Sequence, residues 1–230
     1  METSTVQTIR TRYGTFAIDS VRDKKMAVAL AGNAYPNEGL IGIARAFTGT
    51  TSVVVDIGAH IGTFAVPIAK EVGKVIAFEP SREVAVLLDR NADMNSVALT
   101  VVNKALGSSK GSGTLVVRNA SNAGANTLVA GGDIPVTTLD DEVEQADFIK
   151  MDVEGMECEV LRGGVRLIKR SRPVVLFEVN LSQLRAHGTS SRALERFFTE
   201  RGYRLYIPLE RGKGVLARVR SATLQPAFIA

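Results

Sequence analysis

The sequence is poor in the residues that build disulfides and metal sites, with one cysteine, two histidines and no tryptophan in 230 residues. The lone Cys158 excludes an intramolecular disulfide and suits a reducing compartment. Two histidines and one cysteine are also too few ligands for a structural zinc site. Composition therefore gives no reason to assign metal ligands.

Long apolar segments are missing as well. No uninterrupted apolar run reaches the ~18 residues that are needed to cross a bilayer. The segment Met1–Arg12 is polar and lacks the apolar core of a secretory signal. We therefore expect a soluble, cytoplasmic protein without a membrane span.

The charge balance does not favour a nucleic-acid partner. The chain carries 28 basic and 24 acidic residues, and its basic residues gather only loosely, at Arg162–Arg172 and Arg201–Arg220. A solvated helix face explains these clusters better than an RNA-binding surface does. Aromatic residues make up 6% of the chain, which argues against an aromatic-lined groove for single-stranded nucleic acid.

The stretch Val53–Gly62 organises the rest of the chain. It begins as a β-branched apolar run, carries Asp56 near its end and then turns on two glycines. The residues that follow, Thr63–Val72, have the apolar spacing of a helix, with Thr63 as its predicted N-cap. Strand, glycine turn and helix form the opening unit of a nucleotide-type α/β fold.

The segments before this unit are predicted to form an N-terminal region, 1–50. We expect a β-hairpin from Val6–Ile9 and Thr15–Ile18, with a glycine turn between them, and a further strand at Lys25–Leu30. Asn37–Thr48 carries apolar residues at helical spacing and is predicted to be a lid helix.

The segments after the turn alternate between strands and helices, which predicts a mainly parallel sheet covered on both faces. The predicted strands are Lys74–Phe78, Leu99–Asn103, Phe148–Asp152, Pro173–Val179 and a closing hairpin of Tyr203–Leu209 with Val215–Val219. The predicted helices follow Ser81 and cover Met156–Ile168 and Ser191–Arg201, with a short loop-helix unit at Thr137–Val143. The segment 107–136 is rich in Gly, Ser and Asn, and we expect it to be a β-rich insertion. One domain, 1–230, is expected, with its α/β core over 51–220 and a tail at 221–230.

The spacing of the glycines indicates which ligand the turn takes. A dinucleotide fingerprint reads G-x-G-x-x-G, and its middle glycine lets a diphosphate approach the backbone. Here the pattern is Asp56-x-Gly58-x-x-x-Gly62, with His60 in place of the middle glycine. An acid at the strand end suits the ammonium group of S-adenosylmethionine better than a diphosphate. Glu79 follows 21 positions after Gly58, at the end of the next strand, where a carboxylate can bind both ribose hydroxyls.

Charged residues end two later strands, and a buried parallel strand has no packing reason to carry them. They are Lys150, Asp152 and Glu154 in one segment and Glu178 in the other. With these segments the chain resembles the FkbM-like family of S-adenosylmethionine-dependent methyltransferases. The matching pieces are Val55–Gly62, Ala77–Pro80, Thr138–Asp140, Ile149–Glu157, Gly163–Gly164 and Pro173–Glu178.

The resemblance implies a Rossmann-like class I methyltransferase fold, with a mixed seven-stranded sheet of order 3-2-1-4-5-7-6 and helices on both faces. It implies an S-adenosylmethionine-dependent O-methyltransferase that releases S-adenosylhomocysteine. The expected partner is a small-molecule hydroxyl acceptor such as a sugar, glycoconjugate or polyketide-type metabolite, and a homodimer is left open. An RNA or protein methyltransferase and a non-catalytic S-adenosylmethionine-binding domain are the alternatives.

The same strand order gives each candidate residue a role. Asp152 is expected beside the glycine turn, facing the methyl group, and is the predicted base or metal ligand. Glu178 is its predicted partner, Lys150 is expected to pair with one of these acids, and His187 is a further candidate base. Two carboxylates are compatible with Mg²⁺ but do not specify it. The predicted cofactor-binding residues are Glu38, Asp56, Gly58, Ala59, His60, Ile61, Gly62, Thr63, Glu79, Pro80, Ser81, Asn103, Lys104, Ala105 and Asp152.

Overall fold

The computed structural model describes residues 5–32, 35–116 and 127–206, together with the backbone of 214–219. The strands are β1 Val6–Thr11, β2 Gly14–Asp19, β3 Val53–Ile57, β4 Lys74–Phe78, β5 Thr100–Val102, β6 Ala105–Leu106, β7 Gly111–Val116, β8 Thr127–Ala130, β9 Ile134–Thr137, β10 Phe148–Met151, β11 Val174–Glu178, β12 Tyr203–Tyr206 and β13 Gly214–Val219. The helices are α1 Lys24–Ala31, α2 Glu38–Phe47, α3 Ala65–Ala69, α4 Arg82–Met94, α5 Leu139–Glu142, α6 Glu157–Arg162, α7 Val165–Ser171, α8 Leu181–Ala186 and α9 Ser191–Thr199. Within the described ranges, no helix is both long and apolar enough to cross a membrane.

A seven-stranded sheet forms the centre of the fold, in the order β12-β13-β11-β10-β3-β4-β5. Counted along the chain within this sheet, the order is 3-2-1-4-5-7-6. The strands from β11 to β5 pair in parallel, whereas β13 pairs antiparallel with β11 and β12. The chain leaves β3 in one direction and returns to β10 on its other side, which makes a switch point where α/β folds bind ligands at the carboxyl ends of their strands.

Both faces of this sheet are covered, because side chains alternate along each strand. On β3, Val54 packs into one core with α3 and α4, and Val55 packs into a second core with α6, α7 and α9. Burial of a side chain such as Phe64 in the first core or Phe198 in the second contributes about 1.5–3 kcal/mol. The predicted α/β class, with a mixed sheet between two helical layers, is confirmed.

The N-terminal hairpin of β1 and β2 forms as predicted and docks on α4. The amide of the buried Asn91 accepts from the Ala17 N–H at 2.6 Å and donates to the Ala17 carbonyl at 3.1 Å. One helical turn later, Asn95 makes the same two bonds with Thr15, at 2.9 and 2.7 Å. These two side chains therefore satisfy the edge of β2 in the way that a neighbouring strand would.

A second, four-stranded sheet has the order β6-β9-β7-β8. Three of its strands, β7, β8 and β9, come from the segment that was expected to be a β-rich insertion. β7 pairs antiparallel with both β8 and β9, and β6 joins β9 in parallel. Positions 117–126 of the expected insertion, the hairpin loop 207–213 and the predicted tail 221–230 lie outside the described residues.

One predicted strand is wrong. Lys25–Leu30 lies within α1, where Ala27 and Leu30 are buried three positions apart on one side of the helix. Alanine and leucine are the best helix formers, and a spacing of three places them on the same helical face. The apolar residues in this segment therefore follow the period of a helix and not the alternation of a strand.

The predicted capping role of Thr63 is also wrong. Helix α3 begins two residues later and has no side-chain cap. The Thr63 hydroxyl instead accepts a hydrogen bond from the Asn37 amide at 2.7 Å, and the Tyr35 hydroxyl donates to the Thr63 carbonyl at 2.8 Å. Thr63 thus joins the glycine turn to the N-terminal region.

The helix predicted over Met156–Ile168 is two helices, α6 and α7, which are separated at Gly163 and Gly164. A Cβ added at Gly163 would lie 2.1 Å from the Gly107 carbonyl oxygen. The chain therefore changes direction where it packs directly against the start of the second sheet. A short helix that was not predicted, α8, follows β11 and is capped by the side chain of Asn180.

Candidate functional site

A cavity of about 240 Å³, here called the central cavity, opens at the carboxyl ends of β3, β4 and β10. The glycine turn after β3 and the loop after β10 both contribute to its lining. Met26 and Asn37 of the N-terminal region and Leu115 and Leu128 of the second sheet complete the lining. The cavity lies at the switch point of the sheet, where a ligand site is expected.

The glycine turn approaches the loop after β10 very closely. Gly58 has a φ of +75°, and a Cβ added there would lie 2.0 Å from the backbone oxygen of Asp152. Glycine is therefore required twice, for its left-handed backbone and for its missing side chain. This contact brings the Asp152 loop to the rim of the turn.

Four of the five N–H groups of the turn, those of Gly58, Ala59, His60 and Gly62, are bonded within the protein. Gly58 and Ala59 both donate to the carbonyl of Phe78, at 3.0 and 2.9 Å. His60 donates to Glu79 Oε2 at 3.0 Å, and the N–H of Gly62 donates to the Ala59 carbonyl at 3.0 Å. A diphosphate site depends on N–H groups at such a turn that point to the ligand. This turn therefore leaves few N–H groups to hold a diphosphate.

Glu79 follows β4 and lies at the edge of the cavity, with only 8% of its surface exposed. In addition to His60, it accepts the Ser81 N–H through Oε1 at 2.9 Å. Burial raises the pKa of Glu79, and the nearby charge of His60 and the two backbone hydrogen bonds oppose that rise. A carboxylate has about four acceptor positions, so these two bonds leave room for ligand hydroxyls.

Asp56 is paired inside the sheet. It is fully buried in β3, directly opposite Lys150 on β10, and Lys150 Nζ lies 3.1 Å from its Oδ1. Lys150 also donates to the Gly58 carbonyl at 2.9 Å and lines the cavity. Burial raises the pKa of Asp56, which Lys150 opposes. Burial alone would lower the pKa of Lys150, but the charges of Asp56 and Asp152 outweigh it and raise that pKa.

The loop after β10 presents two carboxylates to the cavity, Asp152 and Glu154. The Asp152 N–H donates to the carbonyl of Ile57 at 3.0 Å, which continues the pairing of β10 with β3. Behind the loop, Glu157 is buried and accepts the Gly155 N–H at 3.3 Å. Burial raises the pKa of Glu157, and its hydrogen bonds with backbone N–H groups oppose the rise. The loop is therefore tied to the sheet on one side and to the start of α6 on the other.

The N-terminal region closes one side of the cavity. His60 Nε2 lies 2.7 Å from Asp23 Oδ2 at the start of α1, and both side chains are largely buried. The backbone of His60 has a φ of +53°, a left-handed conformation that non-glycine residues rarely adopt. Together with the bond between Asn37 and Thr63, this contact joins the turn to the region before it.

The structure brings most of the predicted cofactor residues to the cavity. Those that line it are Gly58, Ala59, His60, Thr63, Glu79, Pro80, Lys104, Ala105 and Asp152. Of the predicted catalytic residues, Asp152 and Lys150 line it. The predicted residues that lie outside the lining are Glu38, Asp56, Ile61, Gly62, Ser81, Asn103, Glu178 and His187.

Four of the residues outside the lining have clear structural contacts. Glu38 is exposed and forms an ion pair with Arg12. Asn103 donates to the carbonyls of Glu79 and Pro80, at 2.8 and 3.1 Å, and so fixes the loop that follows β4. Glu178 ends β11 opposite the backbone of 214, and His187 ends α8, where its ring packs against Gly155.

Several lining residues were not predicted. Leu115 and Leu128 are paired across β7 and β8, and their only sequence signal is a pair of short apolar segments in the insertion. Glu154 and Met156 belong to the charged segment after β10, but acids at the first turn of a helix are also favoured by its dipole. Because the helix dipole alone explains an acid at this position, the sequence does not identify Glu154 as a lining residue.

In the described parts of the chain, no group of three or more His, Cys, Asp or Glu side chains is placed to hold a metal ion. No residue set can therefore be named for Mg²⁺.

The sheet order and a cavity at its switch point define a methyltransferase-like α/β fold, and solved structures share it. A methyltransferase FkbM from Methylobacillus flagellatus KT superposes with a TM-score of 0.50, over 73% of this chain and 43% of that chain, at 23% identity. A tRNA (uracil-54, C5)-methyltransferase from Pyrococcus abyssi, in complex with S-adenosyl-L-homocysteine, superposes with a TM-score of 0.53, over 93% of this chain and 44% of that chain, at 15% identity.

Residues 56–205 match the model of the methyltransferase FkbM domain. The chain belongs to the FkbM methyltransferase family, which confirms the resemblance drawn from its motifs. A curated relative, the hexuronic acid methyltransferase AglP of Haloferax volcanii, is 30% identical over 118 residues, which are 48% of this chain. The match spans about half the length of that relative, 49%.

Proposed function

We propose that this chain is an S-adenosylmethionine-dependent O-methyltransferase that methylates a hydroxyl of a small molecule, such as a sugar, glycoconjugate or polyketide-type metabolite. The observation that carries the proposal is the buried Glu79 at the cavity edge, beside a turn in which four of the five N–H groups are bonded within the protein. A carboxylate suits a ribose diol, and such a turn does not suit a diphosphate. S-adenosylmethionine has the diol and lacks the phosphates, so it fits this cavity better than NAD does.

The lining residues divide the cofactor site into three parts. Glu79 would accept hydrogen bonds from the ribose hydroxyls. Pro80 and Ala105 would flank the adenine, and Thr63 would lie near the methionine part. Bound there, the cofactor supplies an electrophilic methyl group. Asp56, which is paired with Lys150, acts indirectly in this scheme by fixing the turn from behind.

Asp152 is the proposed base. An aliphatic hydroxyl is a poor nucleophile, and a positioned carboxylate assists by accepting its proton as the oxygen bonds to the methyl carbon. Asp152 supports this role by lining the cavity, with its backbone packed against the glycine turn. Glu178 and His187 would act on this loop from outside the lining, Glu178 from the neighbouring strand and His187 through Gly155.

Sugars are the first acceptors to test, because the curated relative is named for a hexuronic acid substrate. The likeness to a tRNA methyltransferase, at 15% identity, concerns the fold alone. The experiment below therefore also tests whether the acceptor is RNA or protein, and whether the domain binds the cofactor without catalysing transfer. Cytoplasmic location and a homodimer stay predictions from the sequence.

Calorimetry with S-adenosylhomocysteine and with NAD tests the cofactor. We expect micromolar binding of the first and none of the second, and a preference for NAD would overturn the proposal. Transfer of a radiolabelled methyl group to methyl glycosides, tRNA and peptides then tests the reaction. The Asp152→Asn variant should bind S-adenosylhomocysteine normally and lose about 100-fold or more of the transfer rate. Cofactor binding without transfer to any of these acceptors would indicate the non-catalytic alternative.

A further inference from the structure

Glu154 has a backbone conformation that its residue type disfavours. Its φ is +53°, and the next residue, Gly155, has a φ of +101°. A glycine at position 154 would adopt this conformation without strain, whereas a residue with a Cβ resists it. Strained residues of this kind cluster at sites where a side chain is needed for binding or chemistry. Glu154 lines the central cavity, which is a site of that kind.

Contacts on two sides fix the position of Glu154. Its Oε2 accepts a hydrogen bond from the side-chain amide of Gln183 on α8. Its backbone carbonyl lies 3.5 Å from the hydroxyl of Thr127, a residue of β8 that is only 3% exposed. A carboxylate has about four acceptor positions, so the bond to Gln183 does not prevent one to a ligand.

An apolar surface of the second sheet lines the same cavity as this carboxylate. Leu115 and Leu128 are cross-strand partners, so their side chains leave the same face of the sheet. Both line the cavity, and Met156 adds a third apolar side chain. A carboxylate and an apolar wall in one cavity suit a ring that has hydroxyls at its edge and C–H groups on its face. The proposed cofactor contacts lie on other segments, the glycine turn and the residues that follow β4.

We propose that Glu154 is an acceptor-binding residue, and that the acceptor is a ring-shaped polyol of sugar type. Its apolar face lies against Leu115 and Leu128, and Glu154 accepts a hydrogen bond from one of its hydroxyls. A neighbouring hydroxyl of the same ring faces Asp152, two residues earlier in the loop. This inference rests on the proposed function and specifies the acceptor side of the same site. Gln183 acts through Glu154 and is a positioning residue.

Binding to the protein saturated with S-adenosylhomocysteine tests this proposal separately from catalysis. The probes are methyl α-D-glucoside, methyl α-D-galactoside, methyl α-D-mannoside and methyl α-D-glucuronide, titrated by saturation-transfer NMR. We expect at least one of them to bind, and Glu154→Gln to weaken that binding by about 10-fold, because a charge-assisted hydrogen bond is lost. The affinity for S-adenosylhomocysteine should stay within about 2-fold, since Glu154 is not among the residues proposed to contact the cofactor.

Binding of S-adenosylhomocysteine tests the cofactor, and binding of the glycosides tests the acceptor. If S-adenosylhomocysteine does not bind, the proposed function fails. If it binds and none of the glycosides does, the acceptor class is wrong. Monodeoxy analogues of the bound glycoside sharpen the residue assignment. The analogue that lacks the contacted hydroxyl should bind the wild type and Glu154→Gln equally, and an undiminished difference for every analogue would overturn the contact.

Replacement by glycine separates binding from a structural role. Glu154→Gly should keep or raise the melting temperature, because strain is relieved, while the glycoside affinity is lost. The matched control is Ser96→Gly, at an exposed position with a φ of +54° that lies outside the cavity lining. That variant should keep both its stability and its glycoside affinity. A lower melting temperature with unchanged glycoside affinity for Glu154→Gly would show that this side chain serves the fold instead.

Discussion

Lys150 Nζ lies 3.1 Å from Asp56 Oδ1 across two neighbouring parallel strands, and the two side chains are 7% and 0% exposed. The same ammonium group bonds to the Gly58 carbonyl, at the start of the glycine turn. A buried charge without its partner is strongly unfavourable, so each member of this pair depends on the other. The glycine turn is therefore supported by a buried ion pair.

Removal of the ammonium should destabilise the fold. Lys150→Met leaves Asp56 charged and buried, and we expect a loss of about 3–5 kcal/mol in the free energy of unfolding, measured with urea. The double variant Asp56→Asn, Lys150→Met should recover much of that loss, because no uncompensated charge remains. Lys104→Met is the control, since Lys104 pairs with Glu142 at the surface and its removal should cost about 1 kcal/mol or less. A small loss for Lys150→Met, equal to the control, would contradict the buried pair.

The docking of the hairpin on α4 gives a second prediction. Asn91 bonds to the N–H and the carbonyl of Ala17 and donates to the Ile61 carbonyl at 2.9 Å. Asn91→Leu leaves these buried backbone groups unpaired, and we expect about 1–3 kcal/mol of lost stability by urea unfolding. The exposed Asp93 on the same helix provides the control, and Asp93→Ala should change stability by no more than about 0.5 kcal/mol. Equal effects of the two substitutions would mean that Asn91 does not hold the hairpin.

The sequence predicts those parts of the site that depend on short-range pattern. A β-branched run before Asp56, the glycine spacing and the position of Glu79 together predict the strand ends that line the cavity. The pairing of Asp56 with Lys150 depends on the register between β3 and β10, two strands that are far apart in the sequence. No local pattern contains that register, so Asp56 was expected to face the ligand.

The contribution of the second sheet to the cavity is harder to predict for a related reason. Leu115 and Leu128 reach the cavity only because β7 and β8 form a separate sheet that packs over the carboxyl ends of the central strands. Glycine- and serine-rich segments carry few apolar positions, so their periodicity does not indicate a buried face. The hairpin of β1 and β2, whose short segments flank a glycine turn, was predicted correctly in both type and pairing.

The raised pKa of Glu157 predicts a pH dependence. The folded protein binds the proton of the Glu157 carboxyl more tightly than the unfolded chain does. The presence of Glu157 therefore lowers the free energy of unfolding as the pH rises above 4.5, the ordinary pKa of a glutamate. Glu157→Gln removes that titration, so its stability relative to the wild type should increase as the pH rises from 4 through the raised pKa, as measured by urea midpoints between about pH 4 and 8.

The exposed Glu195→Gln on α9 is the control for this comparison, because it should follow the wild-type pH dependence closely. If the difference between Glu157→Gln and the wild type stays constant over the whole pH range, burial does not raise the pKa of Glu157.

Glu79 should decide cofactor affinity. Glu79→Gln keeps the size of the side chain but removes the charge that strengthens hydrogen bonds to ribose hydroxyls, and it leaves only one oxygen to accept from both His60 and Ser81. We expect the affinity for S-adenosylhomocysteine to fall about 10- to 100-fold by calorimetry. Glu83→Gln, an exposed substitution on α4, should leave the affinity unchanged. If the wild type and Glu79→Gln bind S-adenosylhomocysteine equally well, Glu79 does not contact the cofactor.

The contact between Gly58 and Asp152 gives the sharpest test of the site geometry. Gly58→Ala combines a left-handed backbone with a Cβ placed 2.0 Å from a backbone oxygen, so the strand ends must move apart. Gly188→Ala is the matched control, because Gly188 has a φ of +67° with nothing within 4 Å of the added Cβ. The control should lose about 1 kcal/mol of stability from backbone strain alone. Gly58→Ala should lose on the order of 3 kcal/mol or more and also bind S-adenosylhomocysteine more weakly. Equal losses would show that position 58 needs glycine only for its backbone angle, and that the Asp152 loop does not pack against the turn.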